Sequence, residues 1–173
     1  IPAGRQPAAL SATIAASSAA ASMERSGPLV GTRTRFSSPT PETQIARSIE
    51  PFYGKPAADQ LFTLLAGHYQ GIREHLDATV AGSASQQEAA VKALTANAAE
   101  ISTFLSGANP TPPEDTLMGL LMAHAAPHLT QLQQLKDGEY AREAETWKGM
   151  KQHIYVVADA LTQALAAQFP AKF

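Results

Sequence analysis

An internal repeat limits what this chain can fold into more than any other feature of its sequence. Two stretches match at one fixed offset of 56 residues, without insertion or deletion, at apolar, glycine and histidine positions. The matched pairs include Asp59 with Asp115, Leu61 with Leu117, Leu64 with Leu120, His68 with His124, Leu76 with Leu132, Gly82 with Gly138, Val91 with Trp147, Leu94 with Met150, Ile101 with Val157 and Leu105 with Leu161. A repeat of this length is typical of a supersecondary unit that packs its apolar face against the next copy.

Each copy contains two segments in which apolar residues recur with helical periodicity. Turn residues separate these segments, at 82–83, at the proline-rich stretch 107–113 and at 137–138. Because the connections are short, neighbouring helices must run antiparallel. The sequence therefore predicts an all-α, up-down-up-down four-helix bundle made of two repeated helical hairpins. The four helices are predicted over residues 57–81, 85–105, 114–136 and 140–169, with repeat one at 57–107 and repeat two at 113–169.

The region before the repeats divides at about residue 40. Residues 1–40 form a low-complexity arm, and we expect it to be disordered or irregular because it has no sustained apolar period and cannot bury enough surface to offset its ordering entropy. A short N-terminal helix is predicted over 42–50, ended by Pro51 and Gly54 and lying against the bundle. The helical bundle domain is therefore predicted to span 41–173.

Composition excludes several classes of function. The net charge is −2 and only 16% of the residues are charged, so a basic face for nucleic acid is not expected. There is no cysteine, which excludes disulfides, thiolate catalysis and cysteine-ligated zinc. No apolar run is long enough for a membrane span, and the chain is predicted to be soluble.

Several segments carry a distinctive pattern: SIEPFYG at 48–54, LLAGH at 64–68, ANAAEI at 96–101, FLSGANP at 104–110, ADAL at 158–161 and QFP at 168–170. With this pattern, residues 41–173 resemble a functionally uncharacterised bacterial helical-repeat family. The resemblance implies a helical-repeat fold and points towards a periplasmic or secreted protein. Members tend to have one more complete helix pair at the N-terminus, which is not recognisable here. Some members carry transferase or kinase names, but this sequence has no Asp-x-Asp motif, glycine-rich phosphate loop or P-loop lysine.

Histidines on the apolar faces of the predicted helices are the residues most able to carry chemistry. His68 lies on the first long helix, His124 and His128 on the third and His153 on the fourth. At the helical rise per residue, His68 and His124 lie roughly 15 Å, and His153 roughly 17 Å, from the same end of the bundle. Helical proteins build metal and haem sites from imidazoles that converge in this way. We therefore predict a metal site at His68, His124, His128 and His153, for copper, zinc or haem iron.

The same histidines also have a structural interpretation, in which they hydrogen-bond carbonyls or polar neighbours inside the core. A third interpretation is a site for a small apolar ligand, lined by these residues. His75 has Gln131 at its matched position and is expected to point into solvent near its helix end. Pro127 lies inside the third helix and is expected to bend or locally open it.

Two classes of function follow from these patterns. The first is a non-enzymatic helical bundle that binds a transition metal ion or haem through core histidines. The alternative is a protein-interaction or self-association module, a homo-oligomer or the partner of another protein, with purely structural histidines. An enzyme is less favoured, because Glu100 and Asp159 do not form a matched acid pair and no serine lies in a Gly-x-Ser-x-Gly turn.

Overall fold

A computed structural model describes residues 39–173, so the predictions for residues 1–38 lie outside the described residues. Within the described range every regular element is a helix and no strand is present, which confirms the all-α prediction for this part of the chain. None of these helices is both long and apolar enough to cross a membrane. The elements are α1 (Pro41–Ser48), α2 (Glu50–Tyr53), α3 (Lys55–Ala81), α4 (Ala84–Ala108), α5 (Glu114–Lys136), α6 (Tyr140–Gln168) and a final 3-10 turn (Pro170–Lys172).

A capping residue marks the start of α1, and glycines mark the ends of α3 and α5. Thr40 precedes α1, and its side-chain oxygen accepts a hydrogen bond from the Thr43 backbone N–H at 3.4 Å, which satisfies a free donor of the first turn. Gly82 follows α3 with φ 70° and Gly138 follows α5 with φ 74°, both in the left-handed region. Glycine is favoured there because it has no Cβ to clash with the backbone.

Two predicted boundaries are wrong, both at prolines or glycines. Pro51 does not end the first helical segment, because it lies in the first turn of α2, where no partner for its missing N–H is required. Helix α4 passes through Gly107 and ends at Ala108, beyond the predicted end at residue 105. Its end is followed closely by Pro110, before which the helical conformation is disfavoured.

Small residues allow the long helices to approach closely. Helix α3 packs against α4, α5 packs against α6, and both α3 and α4 contact α5. Ala98 and Ala158 are almost completely buried. At Gly71, an added Cβ would lie 2.7 Å from a methyl group of Leu94, so only glycine fits at this contact without repacking.

An aromatic cluster joins the N-terminal helices to the end of the described chain. The Phe52 ring lies 5.4 Å from that of Phe169 and 5.6 Å from that of Phe173, measured between centroids. Tyr53 packs edge-on against Phe169, and its hydroxyl is hydrogen-bonded to Gln168 Oε1 at 2.5 Å. These contacts hold α2 against the C-terminal end of α6.

Candidate functional site: a histidine cluster and its cavity

Two histidines on α5 face each other one helical turn apart. His124 Nε2 and His128 Nε2 are separated by 3.4 Å, and their ring centroids by 4.9 Å. Residues four apart on a helix share a face, which brings the two rings together. Pro127 lies between them inside a helix that continues on both sides.

His153, on α6, stands beside this pair. Its ring centroid lies 6.3 Å from that of His124, with the rings nearly parallel. His153 Nε2 donates a hydrogen bond to the Leu120 carbonyl oxygen at 3.0 Å. In a neutral imidazole the other nitrogen then carries the lone pair, which here is Nδ1.

His68 reaches the same region from α3 and is oriented by Asn97. The Asn97 amide nitrogen donates to the Leu64 carbonyl at 3.1 Å, which identifies the amide oxygen as the atom 3.2 Å from His68 Nδ1. Because an amide oxygen only accepts hydrogen bonds, His68 donates from Nδ1 and keeps its lone pair on Nε2. We refer to His68, His124, His128 and His153 as the histidine cluster.

Burial lowers the pKa of three of the four imidazoles in the cluster. Loss of hydration lowers the pKa of His124 to about 3, and repulsion from His128, His68 and His153 adds to the effect. Burial likewise lowers the pKa of His128 to about 4, with a contribution from His68. The pKa of His68 is lowered by burial, although its hydrogen bond to Asn97 opposes this. These three imidazoles are therefore neutral at pH 7 and able to act as ligands or hydrogen-bonding groups.

One nitrogen of the cluster is unsatisfied. His124 Nδ1 is buried and has no hydrogen-bond partner among the described residues. Leaving a buried polar atom unpaired costs about 1–3 kcal/mol. Such atoms in a protein core are uncommon and call for an explanation, for example a bound group.

A cavity of about 180 Å³ adjoins the cluster. Every helix from α1 to α6 contributes to its wall, which is mostly apolar. Leu65, Phe104 and Leu121 are among its apolar lining residues, and His68 and His124 are the members of the cluster that line it.

The four histidines proposed from the sequence thus lie near one another, but their arrangement is not that of a metal site. In residues 39–173, no group of three or more His, Asp or Glu side chains has an arrangement that could hold a metal ion.

The expectation for His75 is wrong: it is only 6% exposed, and its Nδ1 lies 3.3 Å from the Thr79 hydroxyl on the next turn. The Thr79 hydroxyl, itself fully buried, gives His75 a polar neighbour inside the core.

Sequence analysis included a small apolar ligand site lined by the histidines among its interpretations, but it did not identify Asn97 as the residue that orients His68. The match between Asn97 and His153 at the repeat offset is a signal for Asn97, because both side chains bond carbonyls of matched residues, Leu64 and Leu120. No local sequence pattern corresponds to the cavity, because its wall is assembled from six helices.

Comparison with protein-family models, with curated proteins and with solved structures finds no match to this chain.

Proposed function

We propose that this protein binds one transition-metal ion at the histidine cluster, with His124 and His128 as the primary ligands. The distance of 3.4 Å between their Nε2 atoms carries the proposal. In tetrahedral zinc coordination, metal–nitrogen bonds of roughly 2.0–2.1 Å separate two ligand nitrogens by roughly 3.3–3.4 Å. The two imidazoles therefore already stand at the spacing that a shared ion requires.

His68 is proposed as the third ligand. Its Nδ1–H is directed to the Asn97 amide oxygen, which leaves Nε2 with a free lone pair. Ligating histidines usually donate their second ring nitrogen in this way, because the hydrogen bond fixes the tautomer and the ring orientation. Because no three described side chains already have a metal-holding arrangement, the His68 ring must move towards the pair when the ion binds.

The ligand set favours a transition metal such as copper or zinc over magnesium or calcium. Neutral imidazole suits these metals, whereas magnesium and calcium require oxygen ligands. Haem is less well supported, because the cavity of about 180 Å³ is smaller than the sites that hold drug-sized molecules, which start at roughly 300 Å³.

The proposed site lies where two copies of a duplicated hairpin would meet in a four-helix bundle. Two pairs of matched features support this architecture. Gly82 and Gly138 have nearly the same positive φ. Asn97 and His153, also matched, donate to carbonyls of matched residues at 3.1 and 3.0 Å. A duplication of this kind brings equivalent side chains from different copies into one core.

Metal content tests the proposal. The full-length protein, stripped with EDTA and then dialysed against zinc or copper, is expected to retain one ion per chain by inductively coupled plasma mass spectrometry. The His124→Ala, His128→Ala double variant should lose this ion, and His68→Ala should weaken its binding. His75→Ala is the matched control, because His75 is also a buried histidine but makes its contact with Thr79, outside the cluster.

Two results would contradict metal binding at this site. One is an unmodified chain that retains no metal after dialysis. The other is stoichiometric metal in the His68→Ala, His124→Ala double variant, since the ion would then be bound elsewhere. Circular dichroism of each variant shows whether the helices remain folded.

Self-association is a second candidate function, supported by apolar side chains on the outer face of α3. Leu76 is 39% exposed and Val80, one turn later, is 70% exposed. Exposed apolar neighbours of this kind are found at interfaces between proteins. Light scattering is expected to show a dimer that becomes a monomer in the Leu76→Lys, Val80→Lys variant. A wild-type chain that stays monomeric at all concentrations would exclude self-association through this face.

A further inference from the structure

The cavity beside the histidine cluster has the size of a single-ring molecule. An apolar cavity of roughly 150 Å³ in another protein binds benzene, and the cavity here is about 180 Å³. An apolar space left empty weakens a core, because the atoms that line it lose packing contacts on one side. A molecule somewhat larger than benzene would restore those contacts.

Apart from the two histidines, the polar side chains of the wall already have partners, and His68 bonds Asn97 through Nδ1 and keeps Nε2 available. Ser48 donates to the Ile45 carbonyl, and Tyr53 is paired with Gln168. The Asn109 side chain donates to the Ala164 carbonyl and accepts from the Thr111 N–H. His124 also lines the cavity, and its Nδ1 is the one buried side-chain nitrogen or oxygen without a partner among the described residues.

We propose that this cavity binds a compact, uncharged, single-ring molecule that carries one hydroxyl group. The ring lies among the apolar side chains, and the hydroxyl forms a hydrogen bond with His124 Nδ1. A hydroxyl group suits this atom because it can both donate and accept, and so pairs with either neutral tautomer of the histidine. No lysine, arginine, aspartate or glutamate is among the described residues that line the cavity, so a charged ligand would lose its hydration without gaining a partner.

Phenol and toluene are the probes that test this inference. The full-length protein is treated with EDTA, so that metal binding at the cluster plays no part, and is titrated with each compound by isothermal calorimetry. Both are expected to bind saturably, with one molecule per chain, because both fit the apolar space. Phenol should bind roughly 2- to 10-fold more tightly than toluene, the contribution of one hydrogen bond.

Three variants, with a fourth in reserve, test where the compounds bind. Leu121→Phe fills the cavity and should weaken both compounds at least tenfold. Leu120→Phe is the matched control, since the neighbouring Leu120 is half-buried but does not line the cavity, and it should bind both normally. His124→Leu should keep toluene binding and lose the preference for phenol. If Leu121→Phe does not fold, Ala164→Leu fills the same cavity and should weaken both compounds in the same way.

Absence of saturable binding of both compounds to the unmodified chain would overturn the inference. So would unchanged binding in whichever cavity-filling variant folds, or equal loss in Leu120→Phe. An unchanged preference for phenol in His124→Leu would overturn the assignment of the hydroxyl to His124. Because every titration uses metal-free protein, these results are independent of whether the cluster binds an ion.

Discussion

At the scale of single residues, the histidine cluster shows how burial changes the pKa of a side chain. His124 and His128 are ordinary imidazoles whose pKa values fall from 6.5 to about 3 and about 4, chiefly because the core removes their hydration. Helical periodicity was enough to predict that they face inward. The tautomer of His68 was not predictable, because it depends on Asn97, which another helix supplies.

We expect the stability of the metal-free protein to fall in mild acid because of these histidines. The unfolded chain takes up protons on them near pH 6.5, whereas the folded chain does so only near pH 4 and pH 3. The unfolded state therefore binds more protons between these values, so the free energy of unfolding decreases as the pH falls through this range. Above about pH 6.5 this effect is absent.

Urea unfolding at a series of pH values measures the effect. The His124→Leu and His128→Leu variants should lose less stability than the wild type between pH 6.5 and pH 4, because each removes one buried group that protonates on unfolding. All other ionisable residues are the same in the three proteins, so a difference between the profiles comes from the substituted histidine. Parallel pH profiles would show that burial does not hold these imidazoles neutral.

At the scale of helices, most of the secondary structure was predictable from periodicity and break residues. Helix α5 begins and ends within a residue of its predicted bounds, because the prolines before it and Gly138 after it act locally. The wrong boundaries, at Pro51 and at the end of α4, arose where a break residue occupies a position that a helix tolerates. Local sequence rules identify these break residues, but they do not always predict on which side of the residue the helix ends.

The turn glycines give a prediction at this scale. Gly82→Ala and Gly138→Ala should each destabilise the protein by about 1 kcal/mol, because alanine is strained at positive φ. Gly149→Ala is the matched control: this glycine lies within α6 with no atom within 4 Å of an added Cβ, so the substitution should stabilise by about 0.5–1 kcal/mol.

Unfolding by urea, followed by circular dichroism, distinguishes the two classes of glycine. Similar changes in the free energy of unfolding from all three substitutions would mean that the positive φ at Gly82 and Gly138 is not what makes alanine destabilising there. A large loss in Gly82→Ala alone would instead indicate a difference between the two hairpins.

At the scale of the whole molecule, several features have no signal in any one segment. The aromatic cluster combines Phe52 and Tyr53 with Phe169 and Phe173, residues more than a hundred positions apart in the chain. The cavity likewise takes its wall from six helices. Its size depends on how closely those helices approach one another.

The amino-acid sequence was sufficient for the helical class, for most helix positions and for the inward position of four of the five histidines, because periodicity, capping and turn preferences act between residues that are close in the chain. Only the tertiary structure decided that His75 is buried beside Thr79, that His124 keeps an unpaired nitrogen and that a cavity lies next to it. The burial of His75, the missing partner of His124 and the cavity all depend on how side chains from different helices pack around them. The distances between these side chains are set by packing of the whole core, where a shift of one ångström creates or removes a hydrogen bond or a cavity.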